Sequence, residues 1–242
     1  MLKDWSNVII PEEEEINERL EKARNKLVQQ QILIMQKKLP VLVSFDGWGA
    51  AGKGSILGKI IKNIDPRFFK VAVMDKPTED EKRRPFLYRY VINIPEAGKF
   101  TFMDGGCLDE VTKQKLSGKI TDEEYKRKIE SVKRFERQLS DNGYLVIKFF
   151  FHIGEQEQRK RLTRLLDDKN TRWRVSEYDW WQNQHYKKSL KAFDQFIDDT
   201  SQSIAPWYIV DATDKKWAQL QILETLVQAI DTALKNLSLI HI

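Results

Sequence analysis

Residues 41–46 are mostly apolar, and they run directly into Gly47-x-x-x-x-Gly52-Lys53. Ile56, Leu57, Ile60, Ile61 and Ile64 then recur at helical spacing. A buried strand, a tight glycine turn and a helix are therefore expected in that order, which is the setting a phosphate-binding loop requires. Glycines let the backbone fold tightly enough for N–H groups to point inward at phosphate oxygens. The helix N-terminus adds partial positive charge, and Lys53 adds a full one. The competing reading is an ordinary glycine-rich strand-to-helix turn, and the flanking strand and helix weigh against it. The position after the lysine is Gly54, where such loops carry the Ser or Thr that holds Mg²⁺; Ser55 comes one residue late. Gly47, Gly52, Lys53, Gly54 and Ser55 are thus expected to meet phosphate, and the pattern alone does not establish catalysis.

The rest of the chain bounds the setting of this loop. Its 242 residues are 41% hydrophobic, enough for a substantial core. The N-terminus lacks the apolar stretch of a secretory signal, and no apolar run approaches the ~20 residues that span a bilayer. Cys107 is the single cysteine, which excludes an intramolecular disulfide and a multi-cysteine metal site. A cytoplasmic protein fits these features. The net charge of +5 arises from 41 basic and 36 acidic residues, a densely charged surface rather than a uniformly basic one. Basic clusters at 82–84 and 159–161 point to a polyanionic ligand, although each alone reads equally as a solvated helix face. Nucleic acid is an unlikely polyanion here, since no zinc finger, RNP-like aromatic strand or basic heptad region occurs.

Apolar runs predict strands at 69–74, 99–104, 144–152 and 207–211 besides the one at 41. Helical spacing predicts helices at 11–38, within 77–94, at 108–118, 121–142, 155–168, 177–200 and 215–236. Thr121 and Glu124 make a capping box for the helix at 121. Strands alternating with helices, marked by runs rather than by period two, predict an α/β fold with a parallel sheet covered on both faces. The division expected is a helical lead-in at 1–40 and one α/β domain at 41–236. The tail at 237–242 fits neither. Written as codons it resembles a transposon end used in sequencing libraries, so a non-native tail is expected, with the natural chain continuing past Asn236 and His241 given no role. His152 and His185 lack partners at ligand or triad spacing and read as structural. Trp173, Trp180, Trp181 and Trp207 read as packing residues, and Cys107 has no activating histidine.

Several segments, taken in order, resemble the polyphosphate kinase 2 family, P-loop phosphotransferases that move phosphoryl groups between polyphosphate and nucleotides. The likeness covers nearly the whole chain. It rests on the loop at 45–54, on 76–78 and 84–89, on 135–139 and 149–159, and on 172–180 and 205–215. The resemblance implies a P-loop kinase-like three-layer α/β/α sandwich with a helical lid near 155–180, and Mg²⁺ as cofactor. It implies Lys53 and Asp104 as catalytic residues, Asp104 also as the metal ligand, with helix capping as the competing role for that carboxylate. Phosphate or nucleotide contacts are implied for Lys76, Arg84, Arg89, Glu136, Arg159, Arg164, Arg172 and Arg174, with Arg161 grouped beside them on the helix leading into the lid. On a charged helix, Glu136 reads equally as the exposed partner of a nearby lysine.

Two departures stand out. The family's loop carries an acidic residue where this chain has Gly49. Its Walker B segment reads Asp-Arg-Ser-Trp-Tyr where this chain has Asp104, Gly105, Gly106, Cys107 and Leu108. Losing a carboxylate at 49 and a cation at 105 weakens metal placement and charge neutralisation together. Some family members carry two such domains, one degenerate, so the resemblance implies the N-terminal domain of a tandem polyphosphate:AMP phosphotransferase. The expected partners are inorganic polyphosphate, AMP, ADP or ATP, and either a second phosphotransferase domain or further copies in a homo-oligomer. Three functions remain open at this point: Mg²⁺-dependent phosphoryl transfer between polyphosphate and AMP or ADP, a non-catalytic polyphosphate-binding or scaffolding domain, and a nucleoside monophosphate kinase.

Overall fold

The five apolar runs form one parallel sheet. The computed structural model describes Leu2 and residues 10–240. In it β1 (Val41–Gly47) lies centrally in the order β2 (Phe69–Val73), β3 (Phe100–Asp104), β1, β4 (Leu145–His152), β5 (Trp207–Asp211). β1, β3 and β4 are buried almost throughout, which is why they read as runs rather than as alternation. Phe45 stands opposite Asp104 on one side and Phe149 on the other, so the register brings the ends of β1 and β3 together. Later strands flank β1 on both sides, and such a reversal opens a crevice at the carboxyl edge of a sheet.

Ten helices are formed among the described residues: α1 (Glu13–Lys37), α2 (Lys53–Ile61), α3 (Glu79–Lys82), α4 (Tyr88–Val91), α5 (Cys107–Leu116), α6 (Asp122–Asp141), α7 (Glu155–Asp167), α8 (Glu177–Gln184), α9 (Tyr186–Thr200) and α10 (Lys215–Ile240). α2 and α10 cover one face of the sheet, with α1 packed along α10; α5, α6 and α9 cover the other. This is the three-layer α/β/α arrangement expected. α1 buries Ile16, Leu20, Ala23, Leu27 and Ile34, and Arg19 bridges from Glu15 to Glu224 of α10. The Thr121–Glu124 capping box forms in both directions.

Two expectations need correction, the single helix within 77–94 and the packing of Trp173. The helix expected within 77–94 is two short helices, because Pro85 has no N–H to donate and disfavours helical backbone before it. The helices expected over 177–200 are α8 and α9, separated at His185 with φ −116° and ψ 37°. Trp173, expected to pack, is 75% exposed, whereas Trp207 is buried with its indole N–H donated to Thr200 Oγ1. α10 continues past position 236 to Ile240, and residues 241–242 of the expected non-native tail lie outside the described residues. No helix among the described residues is long and apolar enough to cross a membrane.

The large side chain that fastens the glycine loop to the core is Trp48. It is fully buried, stacked on Tyr186 at 4.1 Å between centroids and edge-on to Phe193 at 5.0 Å. Its indole N–H is donated to His152 Nδ1 at 3.3 Å. Trp48→Ala therefore removes a filled, aromatic-lined volume and is expected to cost about 3–5 kcal/mol of stability. Chemical denaturation checks this; an unchanged midpoint would mean the core does not depend on that ring.

Candidate functional site

The loop leaves β1 at Gly47 and enters α2 at Lys53. Ala50 (φ +61°) and Gly52 (φ +95°) both take left-handed backbone, with one residue between them. Alternation of this type turns successive N–H groups to one side and makes an anion-binding concavity, here opening onto a helix N-terminus. The Lys53 ammonium lies across the loop, donating to Gly47 O and Trp48 O at 3.1 Å each.

Carboxylates converge beside it. A Cβ built on Gly54 would stand 3.2 Å from Asp104 Oδ2, so the hydroxyl residue usual at that position would lie next to Asp104. This chain keeps the aspartate half of that pair and lacks the hydroxyl half; Ser55 is exposed. Burial raises the Asp104 carboxyl above its ordinary pKa, Asp75 adds to the shift, and Lys53 opposes it. Asp46, one residue before the loop, accepts from Gly106 N at 3.0 Å and from the backbone of Asp109, so it caps α5 from across the sheet. Burial lifts Asp46 to about 7, reinforced by Asp109, against Lys53 and the two backbone donors. Asp109 is raised for the same first reason, burial. No three His, Cys, Asp or Glu among the described residues form a group able to hold a metal ion by themselves.

The departures at 49 and 105–107 are built into the packing. Gly49 N–H is donated to Gln182 Oε1 at 3.1 Å, and its carbonyl accepts from Gln158 Nε2 at 3.3 Å. A Cβ at 49 would lie 2.1 Å from Asp179 Oδ1 and 2.8 Å from Asp179 Cβ. Asp179 is not free to retreat, because its Oδ2 accepts from the N–H and hydroxyl of Ser176 as the capping box of α8. The space a side chain at 49 would need therefore already holds a carboxylate. Gly105 has φ +95°, a backbone that an arginine rarely adopts, and a Cβ on Gly106 would stand 2.2 Å from Asp46 Oδ2. Cys107 is half-buried, and desolvation pushes its thiol well above the usual range.

The expected basic contacts divide by place. Arg89 is buried, donating to Asp75 O at 2.6 Å, with Glu81 and Glu110 at 3.8 and 3.7 Å. Arg84 is exposed, paired with Asp80 and lying 4.5 Å over the Tyr88 ring. Lys76 is exposed in the segment after β2. Arg159 donates to Asn183 in the seam between α7 and α8. Arg164 on α7 and Arg172 and Arg174 in the following 3-10 turn are exposed, the last over Trp173. Glu136 is not the exposed partner of a lysine: it is buried, with both oxygens 2.8 Å from Lys148 Nζ and one also bonded to Gln202. Burial raises the Glu136 carboxyl and lowers the Lys148 ammonium, and their pairing opposes both shifts. Arg161 turns away from solvent onto backbone carbonyls of the loop and of the turn after β5. His152 is buried beside Trp48, with burial lowering its pKa, and His185 is exposed and stacked on Trp181. Asp46, Asp179, Gln158 and Gln182 were not singled out from sequence. Only Asp179 had a readable signal, the Ser176-x-x-Asp179 cap.

Comparison with known proteins now places this geometry. The family model for polyphosphate kinase 2 matches residues 11–238. Over 197 residues the chain is 32% identical to a polyphosphate:AMP phosphotransferase of Pseudomonas syringae, covering 81% of this chain and 40% of that protein. It is 29% identical over 205 residues to an ADP-polyphosphate phosphotransferase of Pseudomonas aeruginosa, covering 85% of this chain and 67% of the relative. A crystal structure of a putative polyphosphate kinase 2 from Pseudomonas aeruginosa superposes with a TM-score of 0.90 at 28% identity, covering 97% of this chain and 50% of the other. The chain thus spans two-fifths of the length of the first of these relatives.

Two outcomes follow from the site's packing. Gly49→Asp forces α8 off the loop and sets a second carboxylate against Asp179. It is expected to cost about 1–3 kcal/mol, an overpacking effect that Asp179→Ala in the same chain relieves in part, since the Cβ at 179 stays 2.8 Å from the new one; thermal melts of the single and double variants decide. Asp46 binds its proton more tightly folded than unfolded, so its contribution is full below its unfolded pKa near 3.8 and is lost as pH rises through about 7. Urea midpoints taken at pH values either side of 6 should fall with rising pH, and fall less in Asp46→Asn; equal slopes in both proteins would contradict the shift.

Proposed function

Since the chain belongs to the polyphosphate kinase 2 family, we propose that it transfers a phosphoryl group between inorganic polyphosphate and an adenine nucleotide, AMP or ADP. The observation that carries this reading is the convergence of the left-handed loop, Lys53 and Asp104 at the carboxyl edge of β1 and β3. Phosphoryl transfer asks the protein mainly to hold two phosphate groups in line and to neutralise the charge spread over the transferred group. The loop N–H groups and Lys53 bind and orient the phosphates. The exposed arginines 159, 164, 172 and 174 on α7 and the turn after it close over the phosphate chain and exclude water. Arg89, Arg84 and Lys76, on the segments after β2, meet the second phosphate group. Asp104 would hold Mg²⁺ together with substrate oxygens, consistent with a cation that needs only one or two protein carboxylates. That ion supplies charge neutralisation when bound.

The cation missing at 105 argues for a slow enzyme, since removal of one preorganised stabilising group costs ~10²–10³ in rate. The carboxylate of Asp179 against Gly49 keeps one negative group at the loop despite the substitution there. A second reading, a non-catalytic polyphosphate-binding domain within a longer protein, is favoured by the left-handed Gly105 and the close approach of Gly106 to Asp46, which leave the Walker B turn without a side-chain cation. In either reading the expected companions are a second phosphotransferase domain or further copies of this one, in the cytoplasm.

The test is nucleotide phosphorylation by the purified chain with Mg²⁺, long-chain polyphosphate and AMP or ADP, resolved by chromatography. Turnover is expected, weak, dependent on polyphosphate and abolished in Lys53→Ala. Binding of polyphosphate without turnover would install the second reading, and turnover with ATP and a nucleoside monophosphate alone would point to a nucleoside monophosphate kinase.

A further inference from the structure

Arg161 belongs by sequence with the arginines of α7, yet its side chain is only 14% exposed and its guanidinium faces the protein. Its Nε donates to Glu157 at 2.7 Å. Nη1 donates to the carbonyls of Ala50 at 3.5 Å and Ala51 at 3.2 Å. Nη2 donates to the carbonyls of Ala212 at 2.9 Å and Thr213 at 2.8 Å. The whole donor fork is used, so no N–H remains for phosphate.

The planar peptide unit links these bonds to the other side of the loop. In a trans peptide the C=O and the following N–H point in opposite directions, so a cation that draws a carbonyl to one side turns the next amide to the other. With Ala50 O held by Arg161, the Ala51 N–H is directed to Trp48 O at 3.2 Å, closing the turn. With Ala51 O held, the Gly52 N–H is directed to the face opposite Arg161, immediately before α2 begins. Ala50 also sits at φ +61°, a left-handed conformation that a residue with a Cβ adopts at a cost, and the bond to its carbonyl offsets that cost.

We propose that Arg161 is a positioning residue: it grips the outer carbonyls of residues 50 and 51, which holds the Ala51 N–H in the closed turn and keeps the Gly52 amide turned toward phosphate, while tying the loop to the turn after β5. This rests on the phosphate-binding reading of the loop. A lysine would keep the charge but not the fork that spans four carbonyls.

Two measurements on the ligand-free and ligand-bound chain test it. Hydrogen–deuterium exchange reports the loop directly, and calorimetry with inorganic pyrophosphate reports its function. Arg161→Ala should speed exchange over residues 49–53 and 212–214 while leaving the central strands protected, and weaken pyrophosphate binding about tenfold or more. Arg161→Lys should fall between, and added guanidinium ion should restore part of the affinity of the alanine variant. Exchange and affinity equal to the parent would overturn the proposal, as would exchange rising evenly along the chain in both variants, which marks a purely structural role. If Arg161→Ala does not fold, Arg161→Lys carries the same comparison. If the parent itself does not bind pyrophosphate, the phosphate reading fails, and loop exchange alone decides the role of Arg161.

Discussion

Lys53 lies among Asp46, Asp104 and Asp109, each of which burial drives toward its neutral form and each of which the ammonium pulls back. Two of these carboxylates are anchored by structure: Asp104 ends β3, and Asp46 caps α5 from the end of β1. Lys53, with Lys113 also acting on Asp109, thus lets acidic groups collect at the carboxyl edge of the sheet beside the loop. The arrangement is poised between signs. In the function proposed, Lys53 and the helix N-terminus would attract anionic phosphate, and the carboxylates would set where a cation accompanying it sits.

The glycines at 49, 105 and 106, expected from the resemblance to be departures from the family pattern, look like losses in sequence and are closely packed in the structure. Gly49 is not an empty position, because Asp179 from α8 fills the space in front of it and the Gln158 and Gln182 amides take both of its backbone polar groups. Gly105 and Gly106 shape a left-handed turn that brings backbone against Asp46. Restoring the family residues one at a time would therefore collide with features that have adjusted to their absence.

Much of the architecture was legible because it depends on local pattern. Doubly buried strands must be apolar runs, and α1 shows its packed face at 16, 20, 23, 27 and 34 before any partner is known. The loop was legible for the same reason, being contiguous. What sequence did not yield were contacts between distant segments. The stacking of Trp48 on Tyr186, the seat of Asp179 on Gly49 and the inward turn of Arg161 join residues more than 100 positions apart, and nothing in their local spacing marks them. Of the two readings of Glu136, the solvated lysine partner fails because a charged helix hides one buried carboxylate well; only its pairing with Lys148 of β4 shows why it tolerates the interior.

The central claim is that the loop between β1 and α2 is where this protein meets phosphate. The most direct measurement is an amide proton–nitrogen NMR titration of the chain with inorganic pyrophosphate. The account predicts that the largest shifts fall on the backbone N–H groups of residues 50–54 and saturate together. A saturating titration that leaves those amides unmoved, or moves chiefly another surface, would contradict it.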